Sequence, residues 1–114
     1  MTKDLEPRTK RFSLAVIKFT AQLPRTREAD ILCRQLLRAA TSIGANYREA
    51  NRGVSRADFV NKMGIVQKEA SETQYWLELL IESGIAAKSP AEQLLRESSE
   101  LLAIFTAIGK KLKG

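Results

Sequence analysis

The chain has 114 residues, of which 28% are charged and 44% hydrophobic, with a formal net charge of +6. That size and balance predict one globular domain over residues 1–114, with no disordered or collagenous bias. The lack of histidine and the single cysteine, Cys33, exclude Ser-His-Asp and Cys-His triads, imidazole metal sites, an internal disulfide and thiolate zinc clusters.

Every element that the pattern predicts is helical. A first helix over about Glu6–Gln22 puts Phe12, Val16, Phe19 and Leu23 on one face at steps of four and three, and Pro24 closes it. Its apolar stretch Leu14–Ile17 is cut by Lys18, too short for a signal peptide or for the roughly 18 residues of a membrane span. With the lone cysteine, this leads to the expectation of a cytoplasmic protein with no leader and no membrane association.

A second helix, about Thr26–Arg52, has Thr26 as its cap and Glu28 and Asp30 in the first turn, where the helix dipole favours negative charge. Its apolar face is Leu32, Leu36, Ala39, Ala40, Ile43, Tyr47 and Ala50, with Gly53 as the stop. Ser55 and Asp58 resemble a capping box for a third helix running to about Ser83, where Gly84 takes the position after the cap and Ile85 folds back as its hydrophobic contact. Ser89, Pro90 and Glu92 read as cap, first and third positions of a fourth helix. Its inward seam is Leu94, Ser98, Leu101, Phe105, Ile108 and Leu112, with one polar member. Four amphipathic helices with short connections predict an all-α protein, an antiparallel up-down-up-down four-helix bundle. Met1–Leu5 and Lys111–Gly114 are expected to fray.

The third helix carries two apolar faces. Phe59, Met63, Val66, Ala70, Thr73, Leu77 and Ile81 make a core stripe, while Ile65, Tyr75, Trp76 and Leu79 fall on another side. Aromatic side chains commonly anchor interfaces, so these four are the candidate oligomer contact, set against the plainer alternative of a wide core stripe.

Charge is unevenly spread. Residues 1–68 carry a net +8, residues 69–109 a net −5 and residues 110–114 a net +3. On the second helix Arg34, Arg38, Arg48 and Arg52 lie opposite the apolar face, and Arg56 extends the excess. Guanidinium forks match phosphate oxygens, and neutralising several phosphates releases counterions, so these five residues are the candidate nucleic-acid contacts. No helix-turn-helix spacing, RNA-stacking strand motif or zinc finger is present, which predicts contact with backbone or shape rather than base sequence.

Other constellations read as structural. Glu69 with Glu72, and Glu78 with Glu82, are expected to be salt-bridged or solvated, because di-metal bundles need a Glu-x-x-His motif. No metal or cofactor is therefore expected. Asp58 and Lys62 read as a helix pair four residues apart. Ser42, Asn46 and Glu49 border the apolar face and would need partners across an interface or between helices. Cys33 reads as a buried thiol.

The segment Arg38–Leu80 closely resembles the four-helix bundle proteins named for the intervening sequences of bacterial 23S ribosomal RNA genes, also labelled S23 ribosomal proteins. The residues that carry the likeness are Ser42, Ile43, Asn46 and Glu49, then Ser55, Asp58, Phe59, Lys62, Lys68, Glu69, Glu72, Tyr75, Trp76 and Leu77. Gly44 stands where many members have proline, which should leave that helix straighter. The resemblance implies an antiparallel bundle assembled as a ring-shaped homopentamer, with no catalytic function attached. It also suggests kinship with the accessory variability protein of diversity-generating retroelements, a basic pentamer that contacts a reverse transcriptase and nucleic acid.

These readings combine into a leading expectation of a non-enzymatic oligomer that binds structured RNA or DNA through repeated arginine stripes. The alternative is an assembly scaffold for a protein partner, such as a reverse transcriptase. An enzyme using Glu69, Glu72 and a divalent cation is the third reading.

Overall fold

Alternating steps of three and four between apolar residues make one side of each helix a continuous stripe, and burying those stripes together dictates the architecture. The computed structural model describes residues 4–113 and contains α1 (Leu5–Thr20), α2 (Arg27–Asn51), α3 (Arg56–Glu82) and α4 (Lys88–Lys113), with no strand among the described residues. Each helix packs on its neighbours in sequence, and α4 returns to α1; α1 and α3, like α2 and α4, stand diagonally opposite, the latter pair meeting across the core through Tyr47 and Phe105. Polar contacts record how the ends meet. Glu6 at the start of α1 accepts from Asn51 at the end of α2 (2.8 Å). Arg38 of α2 donates to Glu72 late in α3 (2.6 Å), and Lys62 early in α3 reaches Glu49 late in α2 (2.7 Å). Arg56 at the start of α3 donates to the carbonyl of Leu112 near the end of α4 (2.9 Å). The molecule is an elongated body of 44 × 20 × 20 Å.

The helix boundaries follow local chemistry. Thr26 accepts from the Ala29 amide and Ser55 from the Asp58 amide, each at 3.1 Å, so both capping residues serve orphan donors of a first turn. Only this half of the expected Ser55–Asp58 box forms. Gly84, at φ 79°, ends α3 in the left-handed region, and the Ala86 amide returns to the Leu80 carbonyl (3.0 Å) while Ile85 packs on the core. The start of α4 differs from expectation. Lys88 already belongs to the helix, so Ser89 sits inside the first turn instead of capping it; Pro90 is tolerated there because first-turn amides have no intrahelical acceptor.

The core is a column of Leu36, Ala40, Ile43, Met63, Val66, Ala70, Leu77, Leu80, Leu101 and Phe105, with Tyr47 tilted against Phe105 at 5.3 Å between ring centres. On α3 the alternation continues from Leu77 by a three-residue step to fully buried Leu80, so the stripe ends there and Ile81 is only half-buried. Three polar side chains, Thr9, Thr73 and Ser98, are fully enclosed. Each hydroxyl donates to a carbonyl of its own helix: Thr9 to Leu5 (2.7 Å), Thr73 to Glu69 (2.8 Å) and Ser98 to Leu95 (2.8 Å). Enclosed hydroxyls need such partners, and helix carbonyls supply them without another helix.

Of the ends expected to fray, Met1, Thr2, Lys3 and Gly114 lie outside the described residues. Leu5 contradicts that expectation. It is buried in the core and begins α1, because its side chain completes the stripe that Phe12 and Val16 continue.

Gly44 has a packing role. A Cβ placed there would stand 3.1 Å from Oγ1 and 3.3 Å from Cβ of the buried Thr9, so the missing side chain lets α1 approach α2 closely. Gly64 has open space around it. Gly44→Val should lower the free energy of unfolding by roughly 1–3 kcal/mol through overpacking. Gly64→Ala should raise it by about 1 kcal/mol through helix propensity. Urea denaturation followed by circular dichroism measures both.

Candidate nucleic-acid interface

The outer side of α2 presents arginines because its inner side is apolar at the complementary spacing. The neighbouring helices decide how free each one is. Arg34 is exposed and has no carboxylate partner among the described residues. Arg48 and Arg52 share one carboxylate, Glu6 of α1, at 3.8 and 3.4 Å, and their side chains remain 54% and 63% accessible. Arg56 is exposed and tied to a backbone carbonyl of α4. Arg38 differs from the rest. Its guanidinium spans Glu69 (3.2 Å) and Glu72 (2.6 Å) of α3, and the hydrogen bond it donates to Glu72 leads the effects that raise its pKa further. The expected stripe is thus two groups: Arg34, Arg48 and Arg52, lightly compensated, and Arg38, committed to α3.

Glu6 is the residue that sequence reasoning missed. It lies 45 and 46 positions from Asn51 and Arg52, and no local pattern marks such a contact. Hydrogen bonding from Asn51, followed by the effects of Arg52 and Arg48, holds its carboxyl below the ordinary glutamate range despite some opposing desolvation. A cleft of about 340 Å³ lies above this junction, lined by Glu6, Thr9, Lys10, Ser13, Gly44, Ala45, Arg48 and Glu49.

The remaining polar residues have ordinary partners. Ser42 donates to the Arg38 carbonyl (2.6 Å) and Asn46 to the Ser42 carbonyl (2.9 Å). Both are satisfied within α2, contrary to the expected contacts across an interface or between helices, because a carbonyl one turn back is always in reach. Lys62 turns to Glu49 and away from the expected partner Asp58, since α2 brings an acceptor within 2.7 Å. Glu69 and Glu72 are salt-bridged as expected. Among the described residues no three His, Cys, Asp or Glu side chains gather into a metal-binding group, and no helix is long and apolar enough to cross a membrane. Cys33 is half-buried, and burial, then the charge of Asp30, raises its thiol pKa.

The second apolar face of α3 is split in depth. Tyr75 is 54% and Ile65 39% exposed, whereas Leu79 and Trp76 are half-buried, and Trp76 packs on the core of its own chain. Tyr75 and Trp76 meet edge to face at 5.1 Å. The Trp76 indole N–H is buried without an acceptor.

Residues 5–107 match the family described as 23S rRNA-intervening sequence protein. The chain is also similar to a crystal structure from Bacteroides thetaiotaomicron, described as a protein with unknown function from the S23 ribosomal protein family. The two share 37% identity and a TM-score of 0.85, over 92% of this chain and 97% of that one. No curated protein sequence matches the chain.

The lowered pKa of Glu6 has a stability consequence. A carboxyl with a folded-state pKa below its unfolded value stabilises the fold above the unfolded value, near 4.3, and loses that contribution as pH falls through the folded value. Glu6→Gln should therefore melt below the wild type at pH 7, with a smaller gap at pH 3. Thermal denaturation at both pH values measures this; a gap independent of pH would contradict it.

Proposed function

Because the chain belongs to the 23S rRNA-intervening sequence protein family, we propose that it is a non-enzymatic, cytoplasmic protein that binds structured RNA or DNA as a ring of identical subunits, five in number. In this reading each subunit is an up-down-up-down antiparallel bundle, supported by the way the start of α1 meets the end of α2 and the start of α3 meets the ends of α2 and α4. The observation that carries the binding function is the charge imbalance on α2: Arg34, Arg48 and Arg52 are exposed with one carboxylate, Glu6, among them. Guanidinium groups left this open donate paired N–H bonds to phosphate oxygens and gain affinity through counterion release. Arg38 contributes less, because a phosphate would compete with two carboxylates already in place. Repetition of the patch around a ring adds avidity for a long polyanion.

Filter binding with a mixed pool of structured RNA and duplex DNA tests this. Arg34→Glu combined with Arg52→Glu should keep wild-type helicity and weaken affinity by about tenfold or more, with a shallower salt dependence. Arg38→Gln should change affinity by less than about threefold, given the modest net worth of exposed ion pairs. A wild-type oligomer that retains neither nucleic acid would overturn the binding function and favour the protein scaffold, with the basic face docking on an acidic protein surface.

A further inference from the structure

Two exposed ridges on the molecule remain without a role. On α1, Leu14 (57% exposed) and Ile17 (47% exposed) project to solvent, flanked by Lys10, Arg11 and Lys18. None of these three cations has a carboxylate partner among the described residues; the neighbouring Arg8 is instead held by Glu97 and Glu100 of α4. Residues 7–27 contain six cations and no carboxylate. On the last turns of α3, exposed Tyr75 and half-buried Leu79 lie among Glu72, Glu78 and Glu82. Residues 69–87 contain four carboxylates and no cation. Arg38 is the single cation shared by Glu69 and Glu72, so that cluster keeps a net negative charge. Lys68 lies N-terminal to this acidic stretch.

We propose that the α1 ridge of one copy docks on the C-terminal α3 ridge of the next, with Leu14 and Ile17 against Tyr75 and Leu79, and Lys10, Arg11 and Lys18 facing Glu72, Glu78 and Glu82. The proposal rests on the reading that the chain self-associates and identifies the surfaces that do it. The two ridges match in kind. Each pairs exposed apolar side chains with flanking charge of one sign, and the signs are opposite. Self-pairing of either ridge would set like charges together across an apolar contact, which electrostatic complementarity disfavours. The contact is therefore heterologous, joining different patches on the two copies. Because α1 and α3 are diagonally opposite within a subunit, one copy can present both ridges at once. Such a contact propagates from copy to copy and closes into a ring where the rotation permits.

Two reversed variants test the contact: Lys10→Glu with Lys18→Glu on α1, and Glu78→Lys with Glu82→Lys on α3. All four positions are exposed, and circular dichroism establishes that each variant keeps its helicity. In size-exclusion chromatography with light scattering, the wild type should run as an oligomer and each variant alone as a monomer. An equimolar mixture of the variants should recover assemblies larger than a monomer, because each contact between one variant and the other again joins opposite charges. Persistence of the oligomer in both variants would overturn this contact while leaving self-association intact. Failure of the mixture to reassemble would overturn it as well. A monomeric wild type would overturn both the contact and the reading beneath it, while the nucleic-acid binding test remains a separate measurement.

Discussion

The exclusion of water from one column of side chains is the constraint on which the rest of this structure depends. Within residues 4–113 no disulfide or metal cluster ties the helices together, so Leu36, Ile43, Val66, Leu77, Leu80, Leu101 and Phe105 must hold them by burial. Burying a large apolar side chain stabilises by roughly 1.5–3 kcal/mol, and much of that is offset by the entropy of ordering the chain. The column is continuous because three helices keep the three-and-four alternation along most of their length. Its few polar members are compatible with it because Thr9, Thr73 and Ser98 spend their hydroxyls on their own helices.

Once the stripes face inward, the charged surface follows. A helix with its apolar side buried must show its remaining residues to solvent or to a neighbour, and α2 shows arginines. Packing then sorts them. Arg38 meets two carboxylates of α3, Arg48 and Arg52 meet one carboxylate of α1, and Arg34 meets none among the described residues. The same helical surface therefore holds cations with different freedom to bind a phosphate. Gly44 adds to the sorting. By letting α1 lie close to α2 at Thr9, it accompanies the approach that places Glu6 beside the last turn of α2.

The apolar surface that the core leaves over is equally informative. α3 needs one stripe to join the column, yet Ile65 and Tyr75 remain exposed beside it, and α1 leaves Leu14 and Ile17 exposed. Single exposed apolar residues are ordinary on protein surfaces. Here they sit within charge fields of opposite sign on diagonally opposite helices, an arrangement suited to contact between copies.

The sequence by itself determined the four helices, most of their ends and the inward face of each, because periodicity, caps and Gly84 act through residues within one or two turns. Thr26, Ser55, the α2 apolar face and the single polar member of the α4 seam were all legible in this way. Local pattern placed the start of α4 two residues late and ended the α3 stripe on half-buried Ile81 in place of fully buried Leu80, where one step of three or four changes the side on which a residue falls. It also left Leu5 outside the core. Only the tertiary structure decided which charges are spent: that Glu6 ties Arg48 and Arg52, that Glu69 and Glu72 hold Arg38, and that Lys62 prefers Glu49 to Asp58. Those pairings join residues 13 to 46 positions apart. Their energies depend on distances that no spacing along the chain encodes.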